Sequence, residues 1–140
     1  MYNQININIL LGKTIVNIEG AKEGGDAILF TCLDGSQYLM YHEQDCCESV
    51  TIEDICGDVE SLLNTPITMA EDISNRCDNI PEPNYHDDSY TWTWYKFATM
   101  KGYVTIRWYG ESNGYYSEEV DFKEVSENEA QWWLEKVIRK

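Results

Sequence analysis

The densest run of reactive side chains is His42-Glu43-Gln44-Asp45-Cys46-Cys47-Glu48. Imidazole, thiols and carboxylates in one short stretch invite a zinc site, with Cys56 as a further ligand. The spacing argues against it: zinc sites usually pair their cysteines as C-x2-C, and two adjacent cysteines converge poorly on one ion. The alternative metal set is His42, Cys46, Cys47 and Cys56. The favoured expectation is a tight turn with one cysteine buried as a small apolar side chain, the acids solvated, and no metal or cofactor held. A redox-active pair at Cys46 and Cys47 would need a lowered thiol pKa, which the neighbouring carboxylates oppose.

Hydrolytic chemistry needs a nucleophile, a base and a charge stabiliser within reach of one another, and only His42 and His86 supply neutral-pH bases. No G-x-S-x-G, H-E-x-x-H or phosphate-binding glycine loop occurs. His86-Asp87-Asp88 lies among Asn, Asp and Pro, where solvated polar chain is the expected state. The residues therefore point away from an enzyme.

Charge is more informative. The chain carries 25 acidic against 10 basic residues, a formal net charge of −15. Such a surface repels phosphate backbones and anionic lipid head groups, which excludes direct nucleic-acid binding and a membrane surface as partners. The charge serves either solubility or a surface that imitates nucleic acid and fills the basic groove of another protein. Under the second reading the contacts are Asp45, Glu48, Glu53, Asp54, Asp58 and Glu60, with Asp78, Asp87 and Asp88 in a later loop.

A different chemistry is offered by rings. Trp92, Trp94, Tyr103, Tyr109 and Tyr115, placed near Arg107, Lys96 and the turn residue Asn113, would stack a nucleotide ligand. Trp92 and Trp94 are two apart on one strand, and the favoured arrangement puts them on its core side, which would leave no such platform.

Compartment and elements follow from the rest. Five cysteines, an odd number with two adjacent, do not form a disulfide framework and suit a reducing cytosol. The start of the chain shows no export signal, and no run approaches the roughly 20 apolar residues that span a bilayer. Period-two alternation predicts strands over Lys13–Gly20, Asp26–Leu33 and Ser36–His42, with Asp34-Gly35 as a two-residue type I′ turn. A short strand over Ser49–Ile55 places Val50, Ile52 and Asp54 on one side. Asp58 caps a two-turn helix that ends before Pro66, and Ile67–Ile73 is an edge strand.

Residues 74–89 form a long loop. Tyr90–Met100, Tyr103–Ser112 and the run after Asn113-Gly114 make a second meander, with Val104, Ile106 and Trp108 inward. Beyond the turn, Tyr116, Val120 and Phe122 are inward, with Ser117, Glu119 and Asp121 outside. Ser126 and Glu129 form a capping box for a helix over 126–139, whose Ala130, Trp133, Leu134, Val137 and Ile138 share one face. The fold class expected is α+β: two antiparallel β-meanders forming a twisted sheet, a short central helix, and a C-terminal amphipathic helix packed on the sheet. The chain reads as one acidic domain over 1–140 with a lead-in at 1–12.

The segments DGSQYLMYHEQDCCESVTIEDI, Asp34 to Ile55, and VTIRWYGESNGYYSEEVDF, Val104 to Phe122, resemble a family of small uncharacterised proteins carried by bacteriophages and prophages. The resemblance covers about Gly12 to Phe122 and rests on the vicinal cysteine block and the aromatic SNGYY hairpin. It implies a phage or mobile-element origin and action in the cytoplasm of a bacterial host, with no established activity or catalytic residues. By analogy with small acidic phage proteins, the function expected is non-enzymatic inhibition of a host defence factor, anti-CRISPR-like, by occupying the basic groove of a CRISPR effector or other defence nuclease. The alternatives are a sponge for a nucleotide-derived immune signal and a metal-binding or hydrolytic domain.

Overall fold

The computed structural model describes residues 5–77, 89–112 and 117–140. Where period-two alternation is strongest the chain forms β1 (Ile15–Glu19), β2 (Ala27–Cys32) and β3 (Gln37–Tyr41), an antiparallel meander. The connection between β2 and β3 is not the two-residue turn expected. Gly35 N donates to Cys32 O (3.0 Å) and Cys32 N to Ser36 O (2.9 Å), so Leu33, Asp34 and Gly35 form a three-residue loop. Of its residues only Gly35 takes a positive φ, 91°, as a type I turn closed by a left-handed glycine requires. Asp34 instead uses its carboxylate to accept from Ser36 N (2.9 Å) and Lys13 Nζ (2.8 Å).

The second half builds β4 (Ser49–Cys56), β5 (Met69–Cys77), β6 (Ser89–Thr99), β7 (Gly102–Ser112) and β8 (Asp121–Val125). The α+β class and the antiparallel strands stand, held in two four-stranded sheets of order β1-β2-β3-β8 and β4-β7-β6-β5 rather than in one twisted sheet. The final strand does not extend the second meander. It crosses over to pair with β3, Tyr41 opposite Asp121 and Gln37 opposite Val125, and Phe122 stacks on Tyr38 at 5.6 Å. Val120 and Phe122 are inward as expected, but Asp121 is buried too, its Oδ2 accepting from Glu43 N (2.8 Å).

Three local expectations change with tertiary context. The helix after Asp58 is a single 3₁₀ turn over Val59–Leu62; Asp58 does cap it, accepting from Glu60 N (3.0 Å). It stops because Leu62 is buried and Asn64 N is drawn to Ile15 O of β1 (2.8 Å). The long loop is shorter than expected, since Ser74–Cys77 belong to β5 and Ser89 to β6, while residues 78–88 lie outside the described residues. The lead-in is part of the core: Ile5 N donates to Phe122 O (2.8 Å), and Ile7 and Leu10 are buried.

The two sheets face each other across the main core, in which Ile28, Phe30, Tyr38, Met40 and Phe122 meet Ile52, Tyr95, Phe97, Val104, Ile106 and Trp108. Trp108 is fully buried, and its indole N–H points at Met40 Sδ (3.3 Å). The opposite face of the first sheet is covered by α1 (Glu127–Trp133) and the π-helical turn Leu134–Ile138 that continues it. Ala130, Leu134 and Ile138 seat on Ala27, Leu29, Leu39, Tyr41 and Val125, with Trp133 edge-on to Tyr41 at 5.1 Å. Ser126 caps the helix by accepting from Glu129 N (3.2 Å), while Glu129's carboxylate pairs with Lys123 rather than closing the box. The layers are thus helix, first sheet, second sheet. Among the described residues no helix is long and apolar enough to cross a membrane.

Candidate functional site

The loop from His42 to Glu48 that links the sheets is organised from within. Glu48 is buried, and its Oε2 accepts from His42 Nε2 and Asp45 N, both at 2.7 Å, while Oε1 accepts from Cys46 N (2.9 Å). His42 Nδ1 lies 2.7 Å from Glu119 O, a carbonyl that can only accept, so the ring donates there. Burial opposes the charge on Glu48, but the Cys46 N–H, His42 and the Asp45 N–H outweigh it and hold the carboxyl down to about 2. Glu48 is accordingly a structural clasp and is corrected from the set of partner-facing acids.

The metal reading loses its geometry at the same place. His42 has both ring nitrogens engaged, Cys46 and Cys47 are joined by a disulfide, and Cys56 sits at the far end of β4. Among the described residues no group of three or more His, Cys, Asp or Glu side chains could hold a metal ion. Cys32 is the buried thiol, raised in pKa by burial, and Cys56 is exposed with Asp54 as its neighbour.

The outer face of the second sheet is where functional side chains converge. Tyr95 and Phe97 of β6 are buried in the core, which by alternation turns Tyr90, Trp92, Trp94 and Lys96 outward. The placement of Trp92 and Trp94 on the core side is therefore corrected. The inward positions nearby are Thr91, which donates to buried Glu118 (2.7 Å), and Thr93, opposite Trp108, where a small side chain leaves room for the indole. Outside, Trp92 lies 4.6 Å from Tyr109 and 6.4 Å from Trp94, and Tyr109 lies 6.2 Å from Tyr90.

Arg107 is on the same face, its guanidinium carbon 5.1 Å from the Trp92 ring centroid. It is already paired. Arg107 Nε donates to Glu53 Oε1 (2.9 Å), and Asp54 Oδ2 lies 3.8 Å from Nη2. Both carboxylates reach it because β4 bulges between Ile52 and Asp54, where Ile52 faces Trp108 and Asp54 faces Arg107, the adjacent residue. The bulge also overturns the expected alternation: Asp54 leaves the side of Val50 and Ile52, and Ile55 turns inward against the core.

Of the nucleotide-site residues, Trp92, Trp94, Arg107 and Tyr109 are brought together. Tyr103 is four residues along β7 from Arg107, about 13 Å away, and mostly exposed. Asn113 and Tyr115 lie outside the described residues. Two members were missed, Tyr90 and Ile73, the latter exposed on β5 directly opposite Trp94. Lys96 was the available signal: a lysine in phase with Trp92 and Trp94 marks their side as the solvent side.

The acids form a strip rather than a cluster. Asp45 precedes β4, Glu53 and Asp54 sit at its bulge, and Asp58 and Glu60 follow it, so the carboxylates run along an edge strand of the second sheet. Asp45, Asp58 and Glu60 are exposed. Asp78, Asp87 and Asp88 lie outside the described residues. No curated protein and no solved structure matches the chain significantly. A family model described as a domain of unknown function, DUF7448, matches residues 8–122 and spans both sheets, and the chain belongs to that family.

Proposed function

We propose that this protein is a non-enzymatic binding protein whose acidic surface engages a basic surface on another protein. The observation that carries the reading is the strip of carboxylates along β4, in which Arg107 is bound by Glu53 and Asp54 and leaves Asp45, Asp58 and Glu60 facing solvent. Charges placed before and after the edge strand suit a basic groove that otherwise holds a nucleic-acid backbone. The likeness of the Asp34–Ile55 and Val104–Phe122 segments to phage-borne proteins supplies the class of target: a defence nuclease of a bacterial host, a CRISPR effector among them, met in the host cytoplasm.

A nucleotide sponge is the weaker alternative, because the cation that would meet the ligand's phosphates must first exchange its surface ion pair with Glu53. The test is a pull-down from lysate of a defence-bearing bacterium at low and at high salt, with wild type beside the charge reversal D45K/E60K. Recovery of a basic nuclease by wild type at low salt, lost in the variant, supports the reading. Recovery unchanged by salt and by charge reversal refutes it.

A further inference from the structure

The first sheet is covered on both faces, by the second sheet and by the C-terminal helix, whereas among the described residues the second sheet is covered on one face only. Its open face is not the polar surface that an uncovered antiparallel sheet normally presents. Tyr90, Trp92, Trp94 and Tyr109, each partly buried, occupy it beside Ile73, which is 48% exposed. Cross-strand registers put four carboxylates on the same face, Glu53, Asp54, Glu71 and Glu111, against two cations, Arg107 and Lys96. Rings with a surplus of negative charge repel a nucleotide and attract a cation.

The molecule already holds one cation in this way. Arg107 lies over Trp92 while Glu53 accepts from its guanidinium, a planar donor group that meets a carboxylate edge-on and an indole face-on at once. Lysine's ammonium is a compact, strongly hydrated charge and makes less of such a surface. Trp94, directly opposite Arg107 on one side and Ile73 on the other, offers a further ring, and Glu71 lies two residues from Ile73 on the same side of β5.

We infer that the open face of the second sheet is an arginine-reading surface, on which guanidinium groups of a basic protein partner stack on the Trp92–Trp94 pair and meet Glu71 and Glu111, the carboxylates of this face that do not hold Arg107. The inference rests on the proposal that the partner is basic, and it specifies arginine over lysine and rings over charge alone.

The experiment uses octaarginine and octalysine as probes at equal charge and near-physiological salt, with calorimetry for affinity and the indole Nε1–H resonances as a site readout. The variants are W92T/W94T, which keeps β-branched residues on the strand, and D45K/E60K, which leaves the rings untouched. Wild type is expected to bind octaarginine about fivefold tighter than octalysine, with the Trp92 and Trp94 resonances shifting and that of buried Trp108 unmoved. W92T/W94T is expected to abolish the preference, and D45K/E60K to weaken both peptides equally.

Equal affinity for the two peptides, with Trp92 and Trp94 unshifted in wild type, would overturn the inference and leave the acidic-surface proposal standing. Binding of neither peptide would overturn both. ADP-ribose shifting the same two resonances in place of octaarginine would also overturn it, in favour of a nucleotide site. The resonance shifts are read on wild type, so the outcome does not depend on the double variant folding.

Discussion

Glu48 shows how a residue that looks like surface charge becomes part of the interior. The sequence places it in an acid-rich turn, and nothing local distinguishes it from Glu43 or Asp45. The turn curls back so that His42 and two backbone N–H groups meet the two oxygens of Glu48. Its carboxyl is held at about 2 against an ordinary 4.5, so its ionised form stabilises the fold fully above about pH 4.5 and the contribution is lost as pH falls toward 2. Glu48→Ala is expected to cost about 3 kcal/mol at neutral pH, because it leaves His42 without its buried partner. Urea titrations should show that the gap between variant and wild type narrows as the pH is lowered to about 3. Trp108→Ala, which empties a fully buried site between the sheets, is expected to cost about 3–5 kcal/mol by the same measurement.

Among the elements, β4 and β6 decide the character of the candidate site. In β4 the extra residue is Glu53, since Ile52 and Asp54 face neighbouring residues of β7. Deleting Glu53 should restore a regular ladder with every other side chain on its present face, at a cost of about 1 kcal/mol for the lost ion pair with Arg107. Deleting Thr51 moves one of Val50 and Ile52 out of the core, and cooperative thermal unfolding should be lost. The pair of deletions, followed by melting curves, separates a bulge from a simple strand. At the helix, Ser126→Ala removes the cap on Glu129 N and should cost about 1 kcal/mol.

For the whole molecule the net charge of −15 acts on stability as well as on binding. Self-repulsion among surface carboxylates is screened over about 8 Å at physiological ionic strength. The melting temperature is therefore expected to rise as sodium chloride is added from low concentration, while affinity for a basic partner falls. A melting temperature indifferent to salt would mean that the carboxylates are already balanced by local partners such as the Lys13–Asp34, Lys123–Glu129 and Arg139–Glu19 pairs.

The residues alone determined the α+β class, the antiparallel strands, the inward set Val104, Ile106 and Trp108, and the apolar face of the C-terminal helix. Each of these is a local period, two for a strand and 3.6 for a helix, and a period survives in any tertiary setting. Alternation states that two faces are opposite but not which one is buried. β6 carries rings on both sides, so apart from Lys96, in phase with Trp92 and Trp94, it was the facing sheet that chose Tyr95 and Phe97 for the core. Pairing of β8 with β3 joins residues 80 or more apart in the chain, and no turn signal records it. The gathering of Glu53 and Asp54 on Arg107 depends likewise on the long-range pairing of β4 with β7, so the tertiary structure decided which of these acids remain for a partner.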